Sequence, residues 1–233
     1  EMVKYPIKIN SIESPLEALM PFPQVDYNDD AEALKDAVRL SKKQDINVVL
    51  LNEIPTSEVA FAVKDLVNSS VHVITTMHVD RIWHLPYKLR EYYGDSYRDI
   101  ISQINVVFNQ KMFPVVCPYC VERSLVDDLA DEDYKSFLRN YGVKTIGISH
   151  GCQHCLDSDT GTIGNVIGKN QPYVEYLVFN DYVKSELLKC EFPYQMESII
   201  KNIMFKSKSS LEFSLSKAIA DNVLHVDALD SIL

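Results

Sequence analysis

Four cysteines in two pairs, Cys117-Pro118-Tyr119-Cys120 and Cys152-Gln153-His154-Cys155, carry the most definite chemistry in the sequence. Thiolates at i and i+3 in a tight turn converge on one ion, and two such turns complete a tetrahedral zinc site. The 31 residues between the pairs exceed the spacing of a short zinc ribbon, so a small subdomain must fit between them. The competing readings are a pair of disulfides or four unrelated buried thiols. One Cys-x-x-Cys would leave those open; two favour zinc. Four protein sulfurs leave no open coordination position, so this zinc is structural and any catalysis lies elsewhere. Cys190 falls outside both pairs and reads as a buried thiol rather than a nucleophile. A tetrathiolate beside a spare thiol suits a reducing cytoplasm.

Acid–base chemistry has three candidates, Glu13, Glu53 and His78, each at the end of a short apolar run. In open α/β sheets, ligands bind at the carboxyl ends of parallel strands. Glu53 stands just beyond Val48-Val49-Leu50-Leu51, the place of a Walker B acid that holds a Mg²⁺ shell or orients the water attacking a γ-phosphate. A helix N-cap or a solvated loop acid is the plainer alternative. His78 reads as a γ-phosphate sensor or a structural strand-end histidine, and Glu13 alone as a surface acid. Phosphoryl transfer also needs a phosphate cradle, Gly-x-x-x-x-Gly-Lys-Ser/Thr, and the sequence has none. Its nearest approach, Gly164-Asn-Val-Ile-Gly168-Lys169-Asn170, is one residue short, lacks the Mg²⁺-binding hydroxyl and reads as a turn.

The elements that must position these residues follow from periodicity. Tyr5–Ile12 reads as a strand, and Pro15, Pro21 and Pro23 make the next stretch a loop. Leu34, Ala37 and Val38 predict an amphipathic helix from about Asp29 to Lys43. Asn47–Leu51 and Val71–Thr75 are short apolar runs of the kind buried on both faces of a sheet, with a helix over Ser57–Asn68 between them. This alternation predicts an α/β layer with a largely parallel sheet. Beyond His78 the pattern predicts helices over Asp80–Tyr93 and Tyr97–Gln110, the second ended by Pro114, and one over Asp131–Asn140 between the knuckles. Strands are expected within Gly161–Phe179, then short helices from Asp181 onward, including Met196–Phe205 and Leu211–Asp221. The expected division is a partial core over 1–112, a zinc subdomain with its following strands over 113–180, and a helical region over 181–233.

The chain has 233 residues, 46% of them hydrophobic, enough for one sizeable core and a smaller lobe. Its net charge of −10 argues against nucleic acid as the main partner, which would require a basic footprint. No apolar run approaches the ~20 residues of a membrane-spanning helix, and no secretory signal is visible. The opening Glu1-Met2-Val3-Lys4 does not look like a natural start, so a fragment with its upstream part missing is expected.

Taken together, Glu13, Glu53, His78 and the knuckles resemble the C-terminal half of the type II secretion and type IV pilus assembly ATPases, a RecA-like, ring-forming branch of the P-loop NTPases. Ile12-Glu13-Ser14-Pro15-Leu16-Glu17 is similar to the family's Asp box, and Val48–Ile54 to its Walker B segment, placing Glu53 on the family's glutamate. Thr75-Thr76-Met77-His78 resembles the His box, and Arg39 falls on an arginine of the helix before Walker B. Lys43-Gln44-Asp45-Ile46-Asn47 and Gln110-Lys111-Met112 are similar to further family runs, and Leu211 through Leu233 to its C-terminal helices. The tetracysteine subdomain is the most specific element of the likeness.

The resemblance implies ATP and Mg²⁺, a hexameric ring at the cytoplasmic face of the inner membrane, and an integral-membrane platform protein as partner. It implies that Glu53 activates water, Glu13 supports the metal or water shell, and His78 reads the γ-phosphate. Arg39 would contact phosphate or pin its helix through an ion pair. The Walker A segment would lie upstream of Glu1, so this chain alone is not expected to be an active ATPase. The sequence also departs from the family. Asn52 and Ser70 replace glycines, Pro55-Thr56 replaces Arg-Asp, and Asn165 stands at an arginine. Those departures keep open a non-hydrolysing interaction module of the same family.

Overall fold

The computed structural model describes residues 7–155 and 166–233. Gly161, Gly164 and Asn165 lie outside the described residues. Gly168, Lys169 and Asn170, expected in a turn, are part of a strand (Val166–Val178) because the chain pairs there with Pro114 to Val116. The chain forms two compact units, one of 1–105 with 179–197, the other of 106–178 with 198–233.

The first unit is built on a parallel sheet of β1 (Ile9–Glu13), β2 (Gln24–Asp26), β3 (Val48–Glu53) and β4 (His72–Thr76), in the order β2-β1-β3-β4. Helices α1 (Ala31–Lys43) and α2 (Ser57–Val67) supply the crossovers and pack on each other. Each begins where a side chain captures free amides: Asp30 accepts from Glu32 and Ala33, and Thr56 accepts from Val59. The apolar stripe Leu34, Ala37 and Val38 of α1 is buried, as its spacing requires, and so are Val59, Ala62, Val63 and Leu66 of α2. Residues 80–93 are not one helix. A short 3₁₀ turn (Ile82–His84) precedes α3 (Leu85–Tyr93), whose start Pro86 favours at the second helical position. Helices α4 (Tyr97–Gln103) and α6 (Asp181–Leu188) complete this unit, with Lys64 of α2 bonded to Asp99 of α4 at 2.9 Å.

Two expectations are corrected here. The run Val71–Thr75 is a strand, but not one covered on both faces: it lies at the sheet's edge and Ile74 is 53% exposed. The helix expected over Tyr97–Gln110 stops at Gln103, because Ile104 is already extended (ψ 136°). From Val106 the chain is a strand, β5 (Val106–Val116), and Pro114 lies inside it rather than ending a helix.

The second unit holds β5 paired antiparallel with β8 (Val166–Val178), from Val106 opposite Val178 to Val116 opposite Val166. Its other sheet pairs β6 (Val121–Leu125) antiparallel with β7 (Thr145–Ser149), with α5 (Glu132–Asn140) between them in sequence. Helix α8 (Leu211–Ala220) contributes Leu211, Leu215, Ala218 and Ile219 to a core shared with Val126, Leu138, Val143 and Ile146. One face of the β5–β8 ribbon is turned to solvent and carries Val106, Phe108, Met112, Val174, Tyr176 and Val178. Helix α7 (Pro193–Ser207) contains one of the crossings between units, after Glu197.

Candidate functional site

The β6–β7 pairing explains how distant cysteines meet. Val121, immediately after Cys120, lies opposite Ser149, three residues before Cys152, so both knuckles emerge at one end of the hairpin. The Cys117 amide donates to the Ser149 hydroxyl at 3.1 Å, and the Cys155 amide to the Cys152 carbonyl at 2.8 Å, which folds each turn inward. The sulfurs of Cys117, Cys120, Cys152 and Cys155 all lie within 4.8 Å of one another. Neighbouring pairs are 3.9 Å (Cys117–Cys152), 3.5 Å (Cys120–Cys155) and 3.8 Å (Cys152–Cys155) apart. A tetrahedron with ~2.3 Å zinc–sulfur bonds has edges of about 3.8 Å. These cysteines are free thiols, too far apart for disulfides of ~2.05 Å. The donor set fits one soft divalent ion.

Burial opposes ionisation of Cys117, but the Tyr119 and Cys120 amides and the neighbouring thiols outweigh it and bring its thiol down to about 7. At Cys155 burial, joined by the bond to Cys117, pushes the thiol up to about 12. Sulfurs this close favour one thiolate beside a protonated neighbour, and a divalent cation among them would favour thiolates throughout. Tyr119 and His154, one from each knuckle, stack with their rings 3.9 Å apart at 22°. Cys190 is a buried thiol, pushed up by that burial, whose sulfur faces the Glu186 carbonyl at 3.6 Å.

The first unit brings the acid–base residues to one edge. Strands β1, β3 and β4 run parallel with Ile12 beside Leu51 and Leu51 beside Thr75, so Glu13, Glu53 and the segment leading to His78 leave the sheet at the same side. His78 Nε2 lies 3.3 Å from Glu53 Oε2, with the imidazole 95% and the carboxylate 39% exposed. The Thr76 hydroxyl donates to the Asn52 carbonyl at 2.5 Å, tying the ends of β3 and β4 beside this pair. Glu13 accepts from Gln24 Nε2 at 3.2 Å, and the same amide reaches the Ala18 carbonyl at 2.8 Å. Arg39 is on the exposed side of α1, 4.0 Å from Asp36 of the same helix.

Two residues here carried no signal in the sequence. Gln24 holds Glu13 and the proline-rich loop together, its Oε1 accepting from the Met20 amide at 2.9 Å. The Tyr27 amide donates to the Glu13 carbonyl at 3.2 Å, and its phenol is raised by burial and then by the negative charge of Glu53. Both residues follow from β2, a three-residue strand in a loop whose prolines mask it.

Known structures share this fold. The chain superposes on the Legionella pneumophila ATPase DotB with a TM-score of 0.66 at 16% identity, covering 97% of this chain and 51% of that one. The pilus retraction motor PilT, solved with bound ADP, gives 0.62 at 12% identity, covering 96% and 52%. The Yersinia pseudotuberculosis ATPase DotB gives 0.63 at 12%, covering 97% and 49%. The chain thus spans about half the length of these structures. No curated protein is similar to it at the sequence level. Residues 2–168 match the profile of the family described as Type II/IV secretion system protein, which includes the sheet, its acidic edge and both cysteine knuckles. The chain belongs to that family.

Proposed function

We propose that this chain is the C-terminal part of a secretion or pilus-assembly motor ATPase. The observation that carries the proposal is the delivery of Glu13, Glu53 and His78 to one strand edge, with Glu53 and His78 3.3 Å apart. Carboxylate oxygens are hard ligands suited to Mg²⁺, the ion that accompanies ATP. In this reading Glu53 orients the attacking water, Glu13 supports the metal or water shell, and His78 reads the γ-phosphate. Gln24 holds the Glu13 carboxylate in place. The phosphate cradle, absent from these residues, comes from upstream sequence. Arg39, turned to solvent and 4.0 Å from Asp36, is placed to meet a phosphate or a neighbouring subunit.

The four cysteines hold zinc, which cross-links the β6–β7 hairpin and supplies no catalysis. The working form is a hexameric ring at the cytoplasmic face of the inner membrane. It passes nucleotide-driven motion to an integral-membrane platform protein and so drives pilin or substrate transport. No helix among the described residues is long and apolar enough to cross a membrane, which fits peripheral attachment. Nucleic acid is not an expected partner of so acidic a chain.

A second reading is a non-hydrolysing module of the same family. Pro55 favours it, since proline there offers neither a cation nor a backbone donor beside Glu53. Steady-state ATP turnover by the protein extended upstream to its Walker A segment separates the two. Mg²⁺-dependent turnover is the expected result; a folded, zinc-loaded protein without turnover would establish the second reading.

A further inference from the structure

The loop from Ser14 to Pro23, between β1 and β2, presents apolar side chains to water. Leu16, Leu19 and Met20 are all exposed, Leu19 to 96%. The loop is nevertheless held at its tip. The Gln24 side chain donates to the Ala18 carbonyl at 2.8 Å and accepts from the Met20 amide at 2.9 Å, gripping the residues on both sides of Leu19. At its base the Ser14 hydroxyl accepts from the Asp29 amide at 3.0 Å. An apolar side chain fixed in water gains nothing for the fold, whereas an ordered anchor loses little entropy on docking. Glu17, two residues before Leu19, is exposed and makes no ion pair among the described residues.

The same compact unit holds a matching recess. A cleft of about 390 Å³ between α3 and the start of α7 is lined by Tyr87, Arg90, Glu91, Phe192, Pro193 and Tyr194. The Phe192 and Tyr194 rings are exposed and nearly parallel, 12° apart with centroids at 5.8 Å. Glu91 is paired with Lys88 at 3.0 Å, but Arg90 is exposed with no ion pair among the described residues, so the rim carries an unmatched cation. The loop joins the two strands at one edge of the sheet, and α3 follows β4, the strand at the other edge. Knob and recess are thus tied to opposite edges.

We propose that these surfaces bind each other in two copies of this chain: Leu19 and Met20 of one copy enter the aromatic cleft of the next, and Glu17 faces Arg90. The cleft has room for two side chains of that size, apolar groups meet aromatic rings, and an acid meets an unmatched cation. The net charge of −10 opposes self-association, but that repulsion is screened beyond about 8 Å at physiological salt and a partly buried pair much less so. Because knob and recess are different surfaces, the contact is head-to-tail and repeats from copy to copy, closing a ring where the rotation allows. It gives the ring proposed above one of its contacts and rests on that reading only for the number of copies.

Sedimentation of the 233-residue chain and its variants tests this. The chain should self-associate as concentration rises, and Leu19→Asp and Tyr194→Asp should each weaken association at least about tenfold with unchanged circular dichroism. Mixing the two variants should restore association only as far as a 1:1 dimer, since together they offer one intact knob and one intact recess. Glu17→Arg should also weaken association, and Arg90→Glu in the same chain should restore it. A chain still monomeric at about 1 mM would overturn the proposal, as would association that neither apolar substitution changes. So would variants that lose association and fail to recover it on mixing. In the upstream-extended protein, a Leu19→Cys thiol shielded from alkylation in a monomer would give the knob to its own chain and overturn the proposal as well. The readout is mass, not turnover. Assembly through this contact without ATP hydrolysis would sink the motor reading alone; ATP hydrolysis in rings indifferent to both substitutions would sink this contact alone.

Discussion

At the scale of single residues, Gly147 shows how tightly the cysteine-bearing unit is built. A Cβ at this β7 position would fall 2.7 Å from Val121 Cγ2 and 3.0 Å from the Asn222 side chain, the one on the paired strand and the other just beyond α8. Gly147→Ala is therefore expected to cost about 1–3 kcal/mol, read as a lower denaturation midpoint at unchanged m-value. Glu175 is fully buried; its carboxylate accepts from Asn109 Nδ2 at 3.0 Å and from the Leu211 amide at the start of α8 at 3.3 Å. Ser210, the residue at that helix's cap, makes no capping bond with its own side chain. Glu175→Ala should therefore cost about 1–3 kcal/mol by removing the acceptor of the buried Leu211 amide and the half-buried Asn109 side chain. The cysteines were legible in the sequence because ligand spacing is local. Gly147 and Glu175 were not, since their roles depend on partners 26 or more residues away.

At the scale of elements, the crossover helices were readable from caps and stripes, and Asp30 states the rule most simply. It accepts from two first-turn amides at 2.8 and 3.1 Å, so Asp30→Ala should lower stability by about 1 kcal/mol in chemical denaturation. The misread segment is equally instructive. Ile100, Ile101, Ile104, Val107 and Phe108 fit a helical stripe, yet only Ile100 and Ile101 are buried on α4, and Phe108 faces solvent from β5. The strand wins there because β8, whose residues lie 50 to 72 positions later than their partners, pairs with it along nearly its whole length. Short β-branched runs satisfy both periods, and only a distant partner decides between them. For the same reason β4 was legible as a strand but its place at the sheet edge was not.

At the scale of the whole molecule, the two compact units divide the chemistry: the carboxylates and His78 belong to one and the four cysteines to the other. Zinc removal should therefore act on the second unit. Metal analysis is expected to find one zinc per chain, and chelation or Cys117→Ser to lower the melting temperature and raise amide exchange across residues 110–180. Metal-free protein with unchanged thermal stability would contradict a structural zinc. The acidic strand edge should be indifferent to zinc except through folding, because its groups are oxygen and nitrogen donors at the ends of β1, β3 and β4. Fold class and the cysteine site could be read from one sequence; the edge position of β4 and the Gln24 bond to the Glu13 carboxylate required the assembled sheet. The most direct test of the motor assignment compares ATP binding and ATP hydrolysis in the upstream-extended protein and its Glu53→Gln variant. Binding retained with turnover lowered at least about a hundredfold would make Glu53 the acid that prepares the attacking water. Equal turnover in the two proteins would remove Glu53 from the chemistry and contradict the assignment of this edge as the catalytic one.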